Sequence, residues 1–236
     1  CMKKLLNKKT QIIMKAFILA AGYGKRLLPL TKTSPKPLLK VGETSLIERN
    51  IKHILNSGIS EIVINVSYLG ELIRNHVIEK FPNENINFSI EEEPLGTGGG
   101  VYKALPLLGS EPFLCMNADI FHNIKLDNLY SDVESALLVG VPNPKHNLGG
   151  DFSLDKNMVK INREGNDLTW SGISIINPII FNNKSFQSTS FNIWENLLVE
   201  SIKKNSVKGI KSSDFWIDVG TIDRLKLANT VYNDQN

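Results

Sequence analysis

Over the first 142 positions, short and almost wholly apolar runs alternate with stretches in which apolar residues recur at three- and four-residue spacing. The runs AFIL (16–19), EIVINV (61–66), INFSIE (86–91), PFLCMNAD (112–119) and ALLVGV (136–141) predict strands, the third the most alternating of them. Between them, LIERNIKHILNSG predicts a helix with Ser45 and Glu48 as a capping box and Gly58 as its stop. GELIRNHVIEKF predicts a second helix. VYKALPLL predicts a short third one after the break EPLGTGGG. Strands divided by helices predict an α/β fold with a mostly parallel, Rossmann-like central sheet and helices on both faces.

After Pro142 the rhythm changes. DFSL, MVKI and LTWSGISII read as short strands separated by turns such as REGND, so a small antiparallel lobe is expected. IWENLLVESIKKN predicts a helix and DFWIDVG a strand ending at Gly220. IDRLKLANTVY predicts a last helix capped by Thr221, with Asp223 in its first turn. There is no internal repeat and no clear linker. The organisation expected is one domain over 14–233, with a first part to about 142 and a second part from about 143.

Charge changes this picture only locally. The chain of 236 residues has a net charge of +3, but 1–13 holds Lys3, Lys4, Lys8 and Lys9 and no acid. Setting those four aside turns +3 into −1 over the rest, so no nucleic-acid surface is expected. The opening segment lacks the apolar core of a signal peptide and is expected to be a disordered extension. No apolar run has the length of a membrane span. The two cysteines, Cys1 and Cys115, make no disulfide framework or metal-type spacing, and Cys115 sits in an apolar run. A reducing, cytoplasmic setting is the expectation, with no membrane partner.

The candidate chemistry begins where the first strand ends. AAGYGKRLLPLTKTSPKPL is too rich in Gly and Pro for a helix and too polar for a core strand. It matches neither G-x-G-x-x-G, since Leu27 follows Arg26, nor the G-K-S/T of a P-loop. Backbone amides freed by Gly22 and Gly24, with Lys25, Arg26 and Lys36, can still hold a polyphosphate. Alone, such a loop is equally a solvated surface loop. Asp119 ends a predicted strand and Asp218 precedes Val-Gly-Thr near the end of another, and either one alone could be an ordinary cap or turn residue. In a mostly parallel sheet, sites lie beyond the carboxyl ends of the strands. The cationic loop, EPLGTGGG and Asp119 all follow such ends and could share one cleft. The four histidines show no ligand spacing.

The order Ala-Ala-Gly-x-Gly-x-Arg, Pro-Leu-Thr, Pro-Lys-Pro-Leu resembles the signature of the sugar-phosphate nucleotidyltransferases, or NDP-sugar pyrophosphorylases. The resemblance implies a GT-A-type fold and a reaction of a nucleoside triphosphate with a sugar 1-phosphate that yields an NDP-sugar and pyrophosphate. It implies Ala21, Gly22, Gly24, Lys25, Arg26 and Lys36 around the triphosphate, with Arg26 on the leaving pyrophosphate and Lys36 on the phosphate being transferred. Glu93, Pro94, Thr97 and Gly98 would frame the base and ribose, with Thr97 also available as a helix cap. Asn117-Ala118-Asp119 and Trp216-Ile-Asp218-Val-Gly220-Thr221 resemble the family's two acidic motifs, which implies Mg²⁺ on Asp119 and Asp218. By resemblance only, Gly150, Asp151, Ser171 and Gly172 would meet the sugar. Arg163 stands near where larger members carry a lysine for the sugar phosphate.

MKAFILAAG, EPLGTGGGVYKALPLLG, GGDFSL, LTWSGISIINP and FWIDVGTIDRL together resemble one branch, the N-acetylmuramate 1-phosphate uridylyltransferases of cell-wall recycling. Mannose-1-phosphate guanylyltransferases are the nearest competitor, because they share E-x-P-L-G-T. An NDP-sugar-dependent glycosyltransferase and a non-catalytic sugar-nucleotide sensor are more distant readings. The first would not need a loop for a triphosphate tail. The second could have lost one of Arg26, Lys36, Asp119 and Asp218.

Overall fold

The computed structural model describes residues 14–234, except 128, 130–132, 183, 185 and 187. The expected extension over 1–13 lies outside the described residues. In chain order the strands are β1 (Lys15–Leu19), β2 (Lys40–Val41), β3 (Thr44–Ser45), β4 (Glu61–Val66), β5 (Asn85–Ile90), β6 (Phe113–Asn117) and β7 (Ile120–His122). They continue with β8 (Ala136–Pro142), β9 (Ser153–Asp155), β10 (Met158–Lys160), β11 (Leu168–Ile176), β12 (Val207–Lys211) and β13 (Trp216–Asp218). The helices are α1 (Leu46–Asn56), α2 (Gly70–Lys80), α3 (Gly96–Leu108), α4 (Val199–Lys203) and α5 (Ile222–Asp234). A π-helical turn, Trp194–Leu198, leads into α4.

Nine strands form one sheet in the order β5-β4-β1-β6-β11-β8-β12-β10-β9. β5, β4, β1 and β6 are parallel neighbours, while β11 runs against both β6 and β8. β12 pairs parallel with β8, and β10 opposes both β12 and β9. All but β11 and β10 therefore run the same way, and the sheet is mostly parallel as expected. After Pro142, β9 to β12 belong to this same sheet, with β11 inserted between β6 and β8. Small antiparallel pairs, β13 with β7 and β2 with β3, stand apart from it.

Alternation along β1 explains the two helical layers. Ala16 and Ile18 point to one face and pack with Ile47, Ile51 and Ile54 of α1 and Ile73 and Val77 of α2. Phe17 points to the other and packs with Val101 and Ala104 of α3 and Leu198 and Ile202. A third cluster joins Phe121 of β7, Ile217 of β13 and Ala228 of α5, with Leu27 and Leu39 of the cationic loop. That cluster seats the loop against the far end of the chain.

Of two helix starts, one follows the sequence pattern and one departs from it. Ser45 caps α1 as expected, its Oγ accepting from Glu48 N at 3.3 Å. α3 begins at Gly96, however, not after the glycines. Gly98, Gly99 and Gly100 are wholly buried within its first turns, where a Cβ on Gly98 would run into the Phe191 ring and one on Gly99 into the Thr189 carbonyl. The glycines are a packing surface for the segment Thr189–Ile193 rather than a break. Thr97 is correspondingly not the cap of α3, because its Oγ1 accepts from Ile193 N at 3.0 Å.

Candidate active site

The carboxyl ends of β1, β4 and β6 open into a cavity of about 360 Å³. Its lining includes Ala21, Gly22, Gly24, Lys25, Arg26 and Lys36 from the cationic loop, Pro94 and Thr97 from the start of α3, and Asp119. A second cavity of about 420 Å³ shares Arg26, Asn117 and Asp119 with the first and adds Asp151, Ser171 and Asp218. Arg26 and Asp119 thus stand at the junction of two adjoining spaces.

The loop holds its shape through three short 3₁₀ turns, Lys25–Leu27, Leu30–Lys32 and Lys36–Leu38. Gly24 makes the fold-back possible. Its φ is +65°, and a Cβ there would lie 2.9 Å from Thr31 Cγ2 and 3.2 Å from Lys36 Cβ. Thr31 Oγ1 donates to Gly24 O at 3.0 Å and ties the loop shut. The Lys36 ammonium consequently reaches across to Asp119, where it pairs with Oδ2.

Asp218 arrives from the other end of the chain through the β7–β13 pair, in which it stands opposite Ile120. Val219 N donates to Asp119 O at 2.9 Å and locks the two acidic motifs side by side. Arg224, in the first turn of α5, places Nη2 3.3 Å from Asp218 Oδ2, and His146 Nε2 lies 3.8 Å from the same oxygen. Asp218 Oδ1 is shielded from solvent and accepts no hydrogen bond among the described residues. Gly220 leaves room for this convergence, since a Cβ there would sit 2.7 Å from Asp218 Oδ1 and 3.0 Å from Arg26 Nη2. Burial lowers the His146 pKa, with Arg224 and Arg26 adding to the effect and Asp218 opposing it. The imidazole beside Asp218 is therefore neutral at pH 7 and available as a hydrogen-bonding group.

Not every expected residue faces these spaces. Glu93 opens onto a different cavity, with Tyr102 and Phe191, so a backbone group near Pro94 and Gly96 is better placed to meet a base. Gly98 is buried under Phe191. Asp151 lines the second cavity, but both its oxygens are engaged, Oδ2 by Trp170 N at 2.8 Å and Oδ1 by Asn147 Nδ2 at 3.0 Å. Ser171 is fully buried, and its hydroxyl donates to Val139 O at 2.8 Å beside an irregularity in the β11–β8 pairing. Gly150 and Gly172 are backbone solutions: each has positive φ, and a Cβ on Gly172 would lie 2.8 Å from Asn117 Cγ. Arg163 is exposed and lines neither space.

Sequence reasoning missed Asn65, His146, Trp170, Trp216 and Arg224. Trp216 Nε1 donates to Ser171 O at 2.8 Å, and Trp170 stacks on Trp194 with ring centroids 5.6 Å apart. Trp170, Trp216 and Arg224 fall in stretches that carry the resemblance, but nothing there marks their contacts, while Asn65 and His146 meet partners far away in the chain. Cys115 is buried in β6, which pushes its thiol pKa up to about 12 and leaves it inert, in keeping with a structural role.

The arrangement offers two neighbouring anion-sized spaces, cations at their junction, and two carboxylates that no single sequence segment could supply. Among the described residues no three His, Cys, Asp or Glu side chains gather into a metal cluster, and no helix is long and apolar enough to cross a membrane. A family model described as "Nucleotidyl transferase" matches residues 15–138. An N-acetylmuramate alpha-1-phosphate uridylyltransferase from Neisseria meningitidis serogroup B is 38% identical over 92% of this chain and 98% of its own. A D-glycero-alpha-D-manno-heptose 1-phosphate guanylyltransferase from Campylobacter jejuni is 30% identical over 88% of this chain and 95% of its own. Among solved structures, a putative glucose-1-phosphate thymidylyltransferase from Bacillus anthracis superposes with a TM-score of 0.80 at 19% identity, covering 94% of this chain and 96% of that one.

Proposed function

The chain belongs to the nucleotidyl transferase family, and from that premise we propose that it joins UTP to N-acetylmuramate 1-phosphate, giving the UDP-sugar and pyrophosphate. The observation that carries the reaction is the meeting of Arg26, Lys36, Asp119 and Asp218 where the two cavities adjoin. The sugar and base rest on the uridylyltransferase relative, whose similarity runs over nearly its whole length.

In this reading the triphosphate lies in the cavity beneath β1, β4 and β6. The sugar phosphate enters from the space bounded by Asp151 and Trp170. A phosphate oxygen of the sugar 1-phosphate attacks the α-phosphorus, and the bond to the pyrophosphate breaks in line with it. The attacking oxygen already carries charge, so no protein nucleophile or general base is needed. Catalysis is positioning and charge neutralisation. Arg26 and Lys25 meet the departing pyrophosphate. Lys36, already drawn to Asp119, screens the repulsion between the two anionic reactants and stabilises the transition state.

Asp119 and Asp218 fit a divalent cation. Mg²⁺ takes one or two carboxylates and completes its octahedron with phosphate oxygens and water, which suits a site with only two acidic side chains. The solvent-shielded Asp218 Oδ1, an acceptor without a donor, is consistent with that use. When bound, Mg²⁺ would neutralise charge on the reacting phosphates. The demand for a nucleoside triphosphate, with the reduced Cys115, supports a cytoplasmic setting, and the substrate supports a place in peptidoglycan recycling.

A guanylyltransferase is the second reading, favoured by the 30% identical heptose 1-phosphate relative. A matrix of UTP, GTP, dTTP and CTP against N-acetylmuramate, mannose, heptose and glucose 1-phosphates, followed by pyrophosphate release, separates the two. UTP with N-acetylmuramate 1-phosphate is expected to give the highest kcat/KM. A GTP pair at least tenfold better would overturn the uridylyl assignment.

A further inference from the structure

We propose that Asn65 and Glu91 are positioning residues that set the spacing of the triphosphate cavity, and hence the affinity for the nucleotide. The inference rests on the nucleotidyl-transfer reading above. Neither residue needs to touch a phosphate to act in this way.

Asn65 is 2% exposed and Glu91 3%. Asn65 comes from the end of β4 and lines the cavity, while Glu91 follows the end of β5. The Asn65 side-chain oxygen accepts from Ala20 N at 2.8 Å, at the first residue of the phosphate loop. Its Nδ2 donates to Glu91 Oε1 at 2.6 Å. Glu91 Oε2 accepts from Leu95 N at 2.9 Å, one residue before α3 begins. A continuous buried chain therefore runs from the loop that would hold the phosphates to the turn that would face the base. Gly100 makes it possible, because a Cβ there would lie 2.6 Å from Asn65 Nδ2 and 2.9 Å from Glu91 Oε1.

The polarity of the chain fixes both side chains. Both partners of Glu91, Asn65 Nδ2 and Leu95 N, are donors, and only a carboxylate meets two donors with an accepting oxygen at each end. The amide of a Glu91→Gln variant would set its NH₂ against one of them. Flipping Asn65 to meet that NH₂ would turn an NH₂ toward Ala20 N. No combination of flips of the two amides satisfies every group, and an unpaired buried polar group is costly. The swap Asn65→Asp with Glu91→Gln does satisfy them all. The new aspartate accepts from Ala20 N and from the glutamine NH₂, and the glutamine oxygen accepts from Leu95 N.

The test is steady-state kinetics of the full chain with the nucleoside triphosphate and sugar 1-phosphate that turn over best. Glu91→Gln is expected to raise KM for the triphosphate about tenfold, with kcat and KM for the sugar 1-phosphate within about threefold of wild type. The double variant Asn65→Asp/Glu91→Gln is expected to bring the triphosphate KM back to within about threefold. A triphosphate KM that does not move in Glu91→Gln overturns the proposal. So does a loss shared equally by both substrates, or a double variant no better than Glu91→Gln. If Glu91→Gln does not fold, the double variant decides alone: a folded enzyme of near-wild-type triphosphate KM supports the chain, and a weak-binding or unfolded one overturns it. A wild-type enzyme that releases no pyrophosphate with any substrate pair would defeat the functional reading itself, a result distinct from all of these.

Discussion

The two cavities are built in contrasting ways. The one beneath β1, β4 and β6 takes much of its lining from the single segment 19–37, braced by Gly24, Thr31 and the buried Asn65–Glu91 chain. The one beside it is assembled from antiparallel pairings between distant segments, β7 with β13 and β11 with β8. Several of its polar side chains are engaged within the protein: Asp151 by Asn147 Nδ2 and Trp170 N, Thr169 by Asn143 Oδ1, Ser171 by Val139 O. In the proposed function the first cradles the triphosphate. The second presents Arg26, Asp119 and Asp218 beside tryptophan rings, backbone and a neutral histidine. A phosphate binder can be specified by short motifs, whereas a sugar binder depends on how far-separated strands register.

The largest effects are expected where the two cavities meet. Asp119→Ala should lower turnover at least about a thousandfold, because it removes both the carboxylate proposed to hold Mg²⁺ and the partner of Lys36. Pyrophosphate release checks it, with circular dichroism to show that the fold persists; full activity in the folded variant would end the metal assignment. Lys36→Ala should lower kcat about a hundredfold or more and move the triphosphate KM much less. Were only KM to change, Lys36 would be a ground-state binder and the junction would not be where catalysis occurs.

Two glycines sharpen the contrast between the sides. Gly24→Ala and Gly172→Ala each put a Cβ at positive φ against a neighbour, Thr31 in one case and Asn117 in the other. Each should cost about 1–2 kcal/mol in urea unfolding. Their kinetic signatures should diverge, Gly24→Ala raising KM for the triphosphate and Gly172→Ala raising KM for the sugar 1-phosphate. If both raise the same KM, the division of the site into two sides is wrong.

The smallest effect on activity at neutral pH is expected at β7, where the consequence is for acid stability. Burial, with a lesser push from His53, lowers the pKa of His122 to about 3. Its Nδ1 accepts from Ile124 N at 3.1 Å, which requires the neutral ring. The unfolded chain takes up the proton near pH 6.5 and the folded one does not. Stability is therefore full above that pH and falls as pH drops toward 3, by up to about 1.4 kcal/mol per pH unit. His122→Asn should flatten this slope in urea unfolding at pH 4 to 6.5. An unchanged slope would assign the acid sensitivity elsewhere.

Legibility in the sequence followed the same division. Most strand and helix positions, the cationic loop and both aspartates could be read locally, since apolar runs, caps and motifs are short-range signals. The short β2, β3 and β7 and the strand β12, whose KGIK breaks the apolar run, were not foreseen. Three further features needed distant partners. The glycines of EPLGTGGG resemble a break, yet the Phe191 and Thr189 that require them lie some ninety residues later. Ser171 resembles a sugar contact, but its hydroxyl bonds Val139 across the β11–β8 pairing. Arg224 lies within FWIDVGTIDRL, yet nothing in that stretch marks it as the partner of Asp218, which reaches the site through the β7–β13 pairing.

The central claim, that the junction of the two cavities joins a nucleotide to a sugar phosphate, is tested most directly by product stoichiometry. UTP and N-acetylmuramate 1-phosphate would be incubated with the enzyme and Mg²⁺, with pyrophosphate and sugar nucleotide quantified together. The two products are expected in equal amounts, and at most about a thousandth as much of either from an Asp119→Ala enzyme. Sugar nucleotide consumed rather than formed, or no pyrophosphate from this or any other triphosphate and sugar 1-phosphate pair, would contradict that claim.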